Sequence, residues 1–144
     1  LIGEKGKEWI EEILTTHHAD KSSKIKSPVP KSASIIGTVY IGENVTIEPH
    51  VYIKGPTFIG PGSEVRHGAY IREYSYIGAN CVVGHSTEVK HSFFFDRAKA
   101  SHFAYVGNSI LGQNVNLGAG TKLANLKLNR GDVFFKHPFT QKKI

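Results

Sequence analysis

Hydrophobic residues recur at every sixth position through the middle of the chain. Starting at Ile35, each step of six reaches an aliphatic or aromatic side chain as far as Phe95. A six-residue unit is too short for a helical hairpin and suits a short strand plus a turn, which predicts a parallel β-helix. The eleven positions are Ile35, Ile41, Ile47, Ile53, Ile59, Val65, Ile71, Ile77, Val83, Val89 and Phe95.

Three such units make one triangular coil, so residues eighteen apart stack at the usual strand spacing of about 4.8 Å. The six-residue step returns at Leu111, Leu117 and Leu123, and the range 35–125 therefore predicts four to five coils. Ten residues separate Phe95 from Tyr105 where six would suffice. We expect the extra residues to form an outward excursion over 96–104.

Different patterns flank the repeat. Residues 1–20 predict an amphipathic helix, which we expect to cover the exposed first end of the β-helix. Its apolar stripe consists of Trp9, Ile10, Ile13 and Leu14. The range 21–34 predicts a linker, because Pro28 and Pro30 disfavour helix. The range 126–144 lacks the six-residue step and predicts a C-terminal loop or hairpin with a turn at "NRGD".

Composition fits one ordinary globular domain, with 144 residues and 40% hydrophobic side chains. No apolar run, that of residues 93–95 included, approaches the length needed to cross a bilayer, so no membrane insertion is predicted. The chain contains no Met, and we expect it to be a fragment or a trimmed form. No secretory signal is evident, and a single cysteine, Cys81, allows no intramolecular disulfide; both favour a cytoplasmic protein. Cys81 itself occupies a small inward position, where it packs.

The formal charge of +6 invites phosphorylated or nucleic-acid partners, although a solvated basic surface would give the same total. Only net charge supports nucleic-acid binding, so we expect at most weak, salt-sensitive association and no specific nucleic-acid partner. No phosphate-cradling glycine-rich loop and no Ser-His-Asp spacing occur in the sequence.

A column of cations follows from the repeat. Lys54, Arg72 and Lys90 are eighteen residues apart and each follows an inward position, so they point outward in one ladder. Two unit charges 5 Å apart repel by roughly 0.8 kcal/mol even in water. A bound phosphate would relieve this repulsion, and we predict that Arg72 and Lys90 hold one. The alternative is a solvated edge, most of all at Lys54.

Tyrosines form a second column on that face. Tyr52 and Tyr70 each precede an inward position and are eighteen residues apart. Exposed aromatic rings of this kind either stack on a base or sugar or become buried between subunits, and the second interpretation is favoured.

Histidines are frequent enough to suggest zinc, with His67 and His85 stacked and His50, His91 and His102 nearby. His85 and His91 are six residues apart, so they lie on adjacent faces and cannot converge within one chain. We therefore predict no metal in this domain and expect turn histidines bonded to the backbone. A zinc hydratase assembled between subunits remains an alternative.

The segment 99–121, KASHFAYVGNSILGQNVNLGAGT, resembles part of the left-handed β-helix domain of the bifunctional glucosamine-1-phosphate acetyltransferase/uridylyltransferase family. The resemblance runs without gaps from Arg72 to Asn125. The whole chain is still more similar to smaller sugar-nucleotide pyrophosphorylase-related proteins, which place a helix before the same β-helix. The segments VYIGENVTIEPHVYIKGP and CVVGHSTEVKHS carry that second likeness.

The resemblance implies a left-handed coil, a homotrimer and a set of site residues. A general base takes the proton of the sugar amine, and the neutral amine attacks the thioester of acetyl-CoA without a covalent intermediate. By position, the resemblance implies that His102 is the base and that Arg72 and Lys90 hold the phosphate. It implies that Tyr105 and Asn116 contact the sugar and that Asn125 positions it. Ala119 would lie near acetyl-CoA.

The function expected is therefore acetyl transfer to an amino-sugar phosphate in sugar-nucleotide or cell-envelope precursor synthesis. In the similar enzymes further coils supply most of the acetyl-CoA site, and this sequence stops before them. A non-catalytic β-helix module associated with a sugar-nucleotide pyrophosphorylase, a nucleotidyltransferase, is the main alternative. It would leave His102 as a loop histidine without a catalytic role.

Overall fold

The computed structural model describes residues 3–17, 24–124, 128–131 and 139. Its strands pair in parallel and wind into a left-handed β-helix of about six turns with three flat faces, which confirms the predicted fold class. No helix within the described residues is both long enough and apolar enough to cross a membrane.

Each coil passes in turn through three sheets, which we call A, C and B, with strands numbered along the chain. Sheet A contains β1 (Lys24–Ile25), β3 (Val39–Ile41), β6 (Thr57–Ile59), β9 (Ser75–Ile77), β12 (Phe93–Phe94) and β15 (Ile110–Leu111). Sheet C contains β4 (Thr46–Ile47), β7 (Glu64–Val65), β10 (Val82–His85), β13 (Lys99–His102) and β16 (Asn116–Leu117). Sheet B contains β2 (Ser34–Ile36), β5 (Tyr52–Lys54), β8 (Tyr70–Ile71), β11 (Glu88–Lys90), β14 (Tyr105–Gly107) and β17 (Lys122–Leu123).

The six-residue step does mark the inside of the coil through the first four turns. Side chains at these positions stack directly above one another; Ile41 pairs with Ile59, and Ile59 pairs with Ile77. From Ile41 to Val89 they are buried and form one continuous core. Burial of this apolar column is the main favourable term holding the coil together.

The predicted excursion over 96–104 is wrong, because the repeat becomes shorter and not longer. Phe94 is the buried residue, whereas Phe95 is 46% exposed. The corner from sheet B to sheet A has lost one residue, and the coil period falls from eighteen to seventeen, so that Ile77 pairs with Phe94. Strand β13 then lies in sheet C against β10 without leaving the wall.

Small inward residues hid this register from sequence analysis. Ala98, Ala100 and Ala104 are buried, and Ala100 stands where earlier coils place valine or isoleucine; it pairs with Val83 on one side and Leu117 on the other. Alanine gives little hydrophobic contrast, so the sequence step seemed to stop.

The coil also begins earlier than the six-residue step indicates. The range 21–34, expected as a linker, holds β1 and the first residue of β2. Ser27 is buried there, where its hydroxyl donates to the Gly42 carbonyl at 2.6 Å and accepts from the Val45 amide at 2.9 Å. The predicted C-terminal loop or hairpin at 126–144 lies outside the described residues except for 128–131 and 139.

The predicted N-terminal helix is present as α1, Gly3–His17, but it does not lie over the end of the coil. It packs against the flank of sheet A through Ile10 and Leu14, which are buried. Trp9, on the same predicted stripe, is 52% exposed and meets the Phe93 ring edge-on.

An outward ladder of aromatic rings explains where the helix docks. One ring from each of four coils stacks on the next, with centroid separations of 4.7, 5.1 and 6.0 Å. The rings belong to Tyr40, Phe58, Tyr76 and Phe93. They give sheet A an apolar outer surface, and Ile10 and Leu14 of the helix pack against it.

Adjacent phenylalanines offer a test of the shortened repeat. Phe94→Ala should destabilise the fold by about 3–5 kcal/mol, because it opens a cavity in the core. Phe95→Ala should cost about 1 kcal/mol or less, because its ring is half exposed. Urea unfolding of the two variants measures the difference, and a larger loss from Phe95→Ala would contradict the register.

Candidate functional site

The outer face of sheet B carries most of the predicted site residues. One column of paired residues runs Tyr52, Tyr70, Glu88, Tyr105 and Lys122. The column beside it contains Lys54, Arg72, Lys90 and Gly107, each directly after an inward position. The structure therefore places Arg72 and Lys90 in one column, as the eighteen-residue spacing predicts, and Tyr105 in the column beside them.

Arg72 is held by its neighbours. Its Nη1 donates to Glu88 Oε1 at 3.1 Å, and its guanidinium lies 5.9 Å from the centre of the Tyr70 ring. The bond to Glu88 raises the pKa of Arg72 further above its ordinary value. Its Nε is buried and has no hydrogen-bond partner among the described residues. Arg72 is thus held in one orientation by Glu88 and Tyr70.

Carboxylates of the chain itself relieve much of the repulsion in the cation ladder. Lys54 Nζ lies 3.3 Å from Glu73 Oε2, and Arg72 pairs with Glu88. Burial alone would raise the pKa of Glu73, but its own backbone amide, Lys54 and Arg72 together lower it. Lys90 forms no ion pair with any residue that the structure describes. Of the three cations, Lys90 is the most available to an external anion.

Gly107 directs the Tyr105 side chain towards Lys90. A Cβ atom added to Gly107 would lie 2.6 Å from the Tyr105 hydroxyl and 2.8 Å from its ring, so the phenol occupies the space above this glycine. Gly107 is the strand partner of Lys90. The Tyr105 phenol therefore covers the position next to Lys90 in this column. Sequence analysis missed Gly107 and Glu88, although adding every outward residue to the columns would have found both.

His102 lies at the corner where sheet C turns into sheet B. It is exposed, pairs with His85 of the preceding coil, and accepts the Gly120 amide on its backbone carbonyl at 3.0 Å. It reaches this exposed position from a regular strand end and not from an excursion. Since Tyr105 begins the next strand, the imidazole borders the face that carries Arg72 and Lys90.

Histidines occupy the same corner in earlier coils. The rings of His67 and His85 stack with centroids 5.6 Å apart, and His50 meets His67 edge-on at 5.4 Å. His85 Nδ1 donates to the His67 carbonyl at 2.9 Å, as expected of a turn histidine bonded to the backbone. Within the described ranges, no three His, Cys, Asp or Glu side chains are arranged to hold a metal ion.

The corner above His102 is open. It consists of Gly118, Ala119 and Gly120, and a Cβ atom added to either glycine would meet no atom within 4 Å. Ala119 is exposed. The region assigned to acetyl-CoA by resemblance is therefore sterically free in the described part of the chain.

Asn116 lies apart from the sheet B group. It begins β16 on sheet C and pairs with Lys99, one corner away from His102. It lines a polar cleft with Asn80, Arg97 and Asn114. Asn125, the other amide predicted to position the sugar, lies outside the described residues. Within a single chain the structure thus places Arg72, Lys90 and Tyr105 on sheet B and His102 at the edge of that sheet, while Asn116 lies on sheet C.

The fold and this face define a class first: a β-helix built from hexapeptide repeats. The chain belongs to the family described as "GMPPB C-terminal domain", whose model matches residues 53–140. That range includes all the site residues named above.

Curated relatives extend this assignment. The chain is 38% identical over 125 residues to "Bifunctional protein GlmU" of Methanococcus maripaludis, covering 86% of this chain and 30% of that protein. It is 39% identical over 105 residues to the "Bifunctional sugar-1-phosphate nucleotidylyltransferase/acetyltransferase" of Sulfurisphaera tokodaii, covering 73% of this chain and 26% of that protein. The chain thus spans less than a third of the length of these relatives.

Among solved structures, a hexapeptide transferase family protein from Anaplasma phagocytophilum has a TM-score of 0.45 and 23% identity, covering 65% of this chain and 66% of that one. A putative acetyltransferase from Bacillus cereus has a TM-score of 0.40 and 19% identity, covering 88% and 79% of the two chains.

The charge cluster beside the site predicts a pH effect on stability. Burial, followed by the charge of Lys90, lowers the pKa of His91 from 6.5, against the opposing pull of Glu73. The unfolded chain therefore binds a proton that the folded chain resists, and stability falls as the pH drops below about 6.5.

His91→Asn should flatten this fall between pH 7 and pH 5. Asparagine suits the left-handed backbone of His91, whose φ is 45°, because Asn108 adopts φ 46° one coil later. His50→Asn is the matched control, since it removes an exposed histidine from the same backbone conformation. Denaturant unfolding at several pH values measures the slopes, and equal slopes for wild type and His91→Asn would contradict the analysis.

Proposed function

We propose that this chain is the acceptor-binding part of an acetyltransferase that moves an acetyl group from acetyl-CoA to the amine of an amino-sugar phosphate of the glucosamine-1-phosphate type. The observation that carries the proposal is the placement of Lys90, Arg72 and Tyr105 on one face beside an exposed His102. The sequence similarity to a sugar-1-phosphate nucleotidylyltransferase/acetyltransferase supports the choice of substrate class.

Phosphate recognition falls to the cations of sheet B. Lys90 supplies a charge that no described carboxylate neutralises, and Arg72 adds a guanidinium oriented by Glu88 and Tyr70. Tyr105 adds a hydroxyl donor above Gly107. Charge-assisted hydrogen bonds of this kind favour a phosphate monoester over a neutral sugar.

His102 is the proposed general base. The amine nitrogen attacks the thioester carbonyl, and the imidazole accepts a proton from that nitrogen. The C–S bond then breaks, and the proton leaves with the thiol of CoA. Imidazole is the side chain best suited to accept a proton near neutral pH.

Acetyl-CoA has open access along the corner that follows His102. Ala119 and its flanking glycines leave room for an extended thioester arm to approach the imidazole. We place the reaction in the cytoplasm, where the buried free thiol of Cys81 stays reduced.

A homotrimer is the proposed assembly. Tyr52 and Tyr70 lie edge to face with centroids 5.3 Å apart and are 36% and 39% exposed, which leaves an aromatic pair on the sheet B surface. Packing this pair against a neighbouring subunit would remove both rings from water.

A non-catalytic module associated with a nucleotidyltransferase is the second candidate. One observation favours it: Lys54 and Arg72 are already paired with Glu73 and Glu88, so the ladder is stable without a bound phosphate. This candidate predicts no dependence of any turnover on His102.

His102→Ala should lower acetyl transfer by about 10²-fold or more, because the amine loses its proton acceptor. Thiol release from acetyl-CoA with glucosamine-1-phosphate measures the rate in the full-length protein that contains this chain. His85→Ala is the matched control, since it removes the histidine stacked one coil earlier in the same corner. Equal rates in wild type and His102→Ala would exclude His102 as the base and favour the non-catalytic module.

The trimer has its own test. Replacing both Tyr52 and Tyr70 by serine should shift the protein towards monomer, because each residue is more than a third exposed and its ring could be buried between subunits. Sedimentation velocity measures the assembly, with Tyr74→Asn, at a corner of the opposite edge, as the control. An unchanged trimer in the double variant would place the interface elsewhere.

A further inference from the structure

We propose that the polar cleft at the corner between sheets A and C binds a phosphate ester that carries hydroxyl groups, separately from the sheet B face. The cleft has a volume of about 460 Å³, within the range typical of small-molecule sites, and is lined by Asn80, Arg97, Lys99, Asn114 and Asn116. This inference goes beyond the proposed function, since a second phosphate site is not required for acetyl transfer to one sugar phosphate.

Unneutralised positive charge is the first argument. Four other cations of the coil face carboxylates: Lys26 pairs with Glu43, Lys54 with Glu73, Arg66 with Glu64 and Arg72 with Glu88. Arg97 and Lys99 pair with no carboxylate of the described chain, and none lines the cleft. Asp96, the nearest in sequence, accepts the Ala79 amide at 2.9 Å and is thereby engaged with the backbone.

The arrangement of Arg97 is the second argument. Its Nε donates to Asn114 Oδ1 at 2.7 Å, which is a neutral partner. This bond orients the guanidinium while its two terminal nitrogens remain available. A guanidinium presented in this way recognises phosphate with two parallel hydrogen bonds.

The backbone at Arg97 is the third argument. This corner turns through a left-handed residue in every coil, and four of the five are asparagine or glycine: Asn44, Gly62, Asn80 and Asn114. Arg97 is the exception, with φ 63°. A long side chain is disfavoured in this region, and such residues persist mainly where they serve a site.

The carboxamides define the rest of the ligand. Asn80, Asn114 and Asn116 each offer a donor and an acceptor, which suits the hydroxyl groups of a sugar or ribose. Two cations beside three amides therefore fit a sugar phosphate or a nucleotide, which share this chemistry. Only Asn116 also belongs to the site predicted from resemblance, and Arg72 and Lys90 lie on another sheet.

The test is a calorimetric titration of the full-length protein with inorganic phosphate, glucosamine-1-phosphate and adenosine 3′,5′-bisphosphate. Arg97→Asn is the main variant, because asparagine is native to the same left-handed corner position. We expect it to weaken the tightest-binding ester at least ten-fold. Lys99→Gln should weaken it as well, and the better of the two esters distinguishes a sugar phosphate from a nucleotide.

Two controls make the outcome decisive. Lys31→Gln removes the same charge from an exposed position outside the cleft and should change the Kd by less than two-fold. In the Arg72→Gln variant the cleft should still bind phosphate, and adding Arg97→Asn to that variant should abolish this binding. Wild-type binding in both cleft variants, or a loss no larger than that of Lys31→Gln, would overturn the proposal. These experiments measure equilibrium binding, so their outcome does not depend on whether His102→Ala alters turnover.

Discussion

The hydrogen-bond ladder between successive coils is the constraint on which the rest of the molecule depends. Amides bond to carbonyls one coil away at 2.6–3.1 Å along all three sheets, as Arg72 N does to Val89 O at 2.8 Å and Tyr105 N to Thr121 O at 2.9 Å. Because backbone groups must be paired when buried, the ladder fixes which residues stack. It converts a linear spacing into vertical columns of like side chains, inside and outside the wall.

A change of one residue in a corner therefore has consequences for every later column. When the corner from sheet B to sheet A shortens, the ladder is kept and the period becomes seventeen. Phe94 takes the inward place, and Gly107 comes to stand beside Lys90. The one-residue shift that keeps β13 in the coil wall therefore also creates the space above Gly107 that the Tyr105 phenol occupies.

Sequence analysis predicted the parts of the molecule that follow from repetition. The inward hexad, the helix and the grouping of Arg72 with Lys90 all come from spacing alone. Three consecutive phenylalanines at 93–95 made the register ambiguous, and small alanines gave no contrast with which to restore it. The outward aromatic ladder and the carboxylates Glu73 and Glu88 were missed because only selected columns were assembled, although the same arithmetic applies to them.

Several corner residues adopt a left-handed backbone that their side chains disfavour, and these positions indicate where a side chain was needed for another reason. Asparagine and glycine are the residues that tolerate a left-handed backbone, and others cost about 1–2 kcal/mol there. The exceptions in the coil wall are His50, Tyr74, Ser86, His91, Arg97 and Phe103. Arg97 lines the polar cleft, His91 joins the charge cluster beside Arg72, and Phe103 adjoins His102. Three of these six exceptions therefore lie beside the charged cluster, the polar cleft or the candidate base, which is the pattern expected where a ligand and not packing selects the residue.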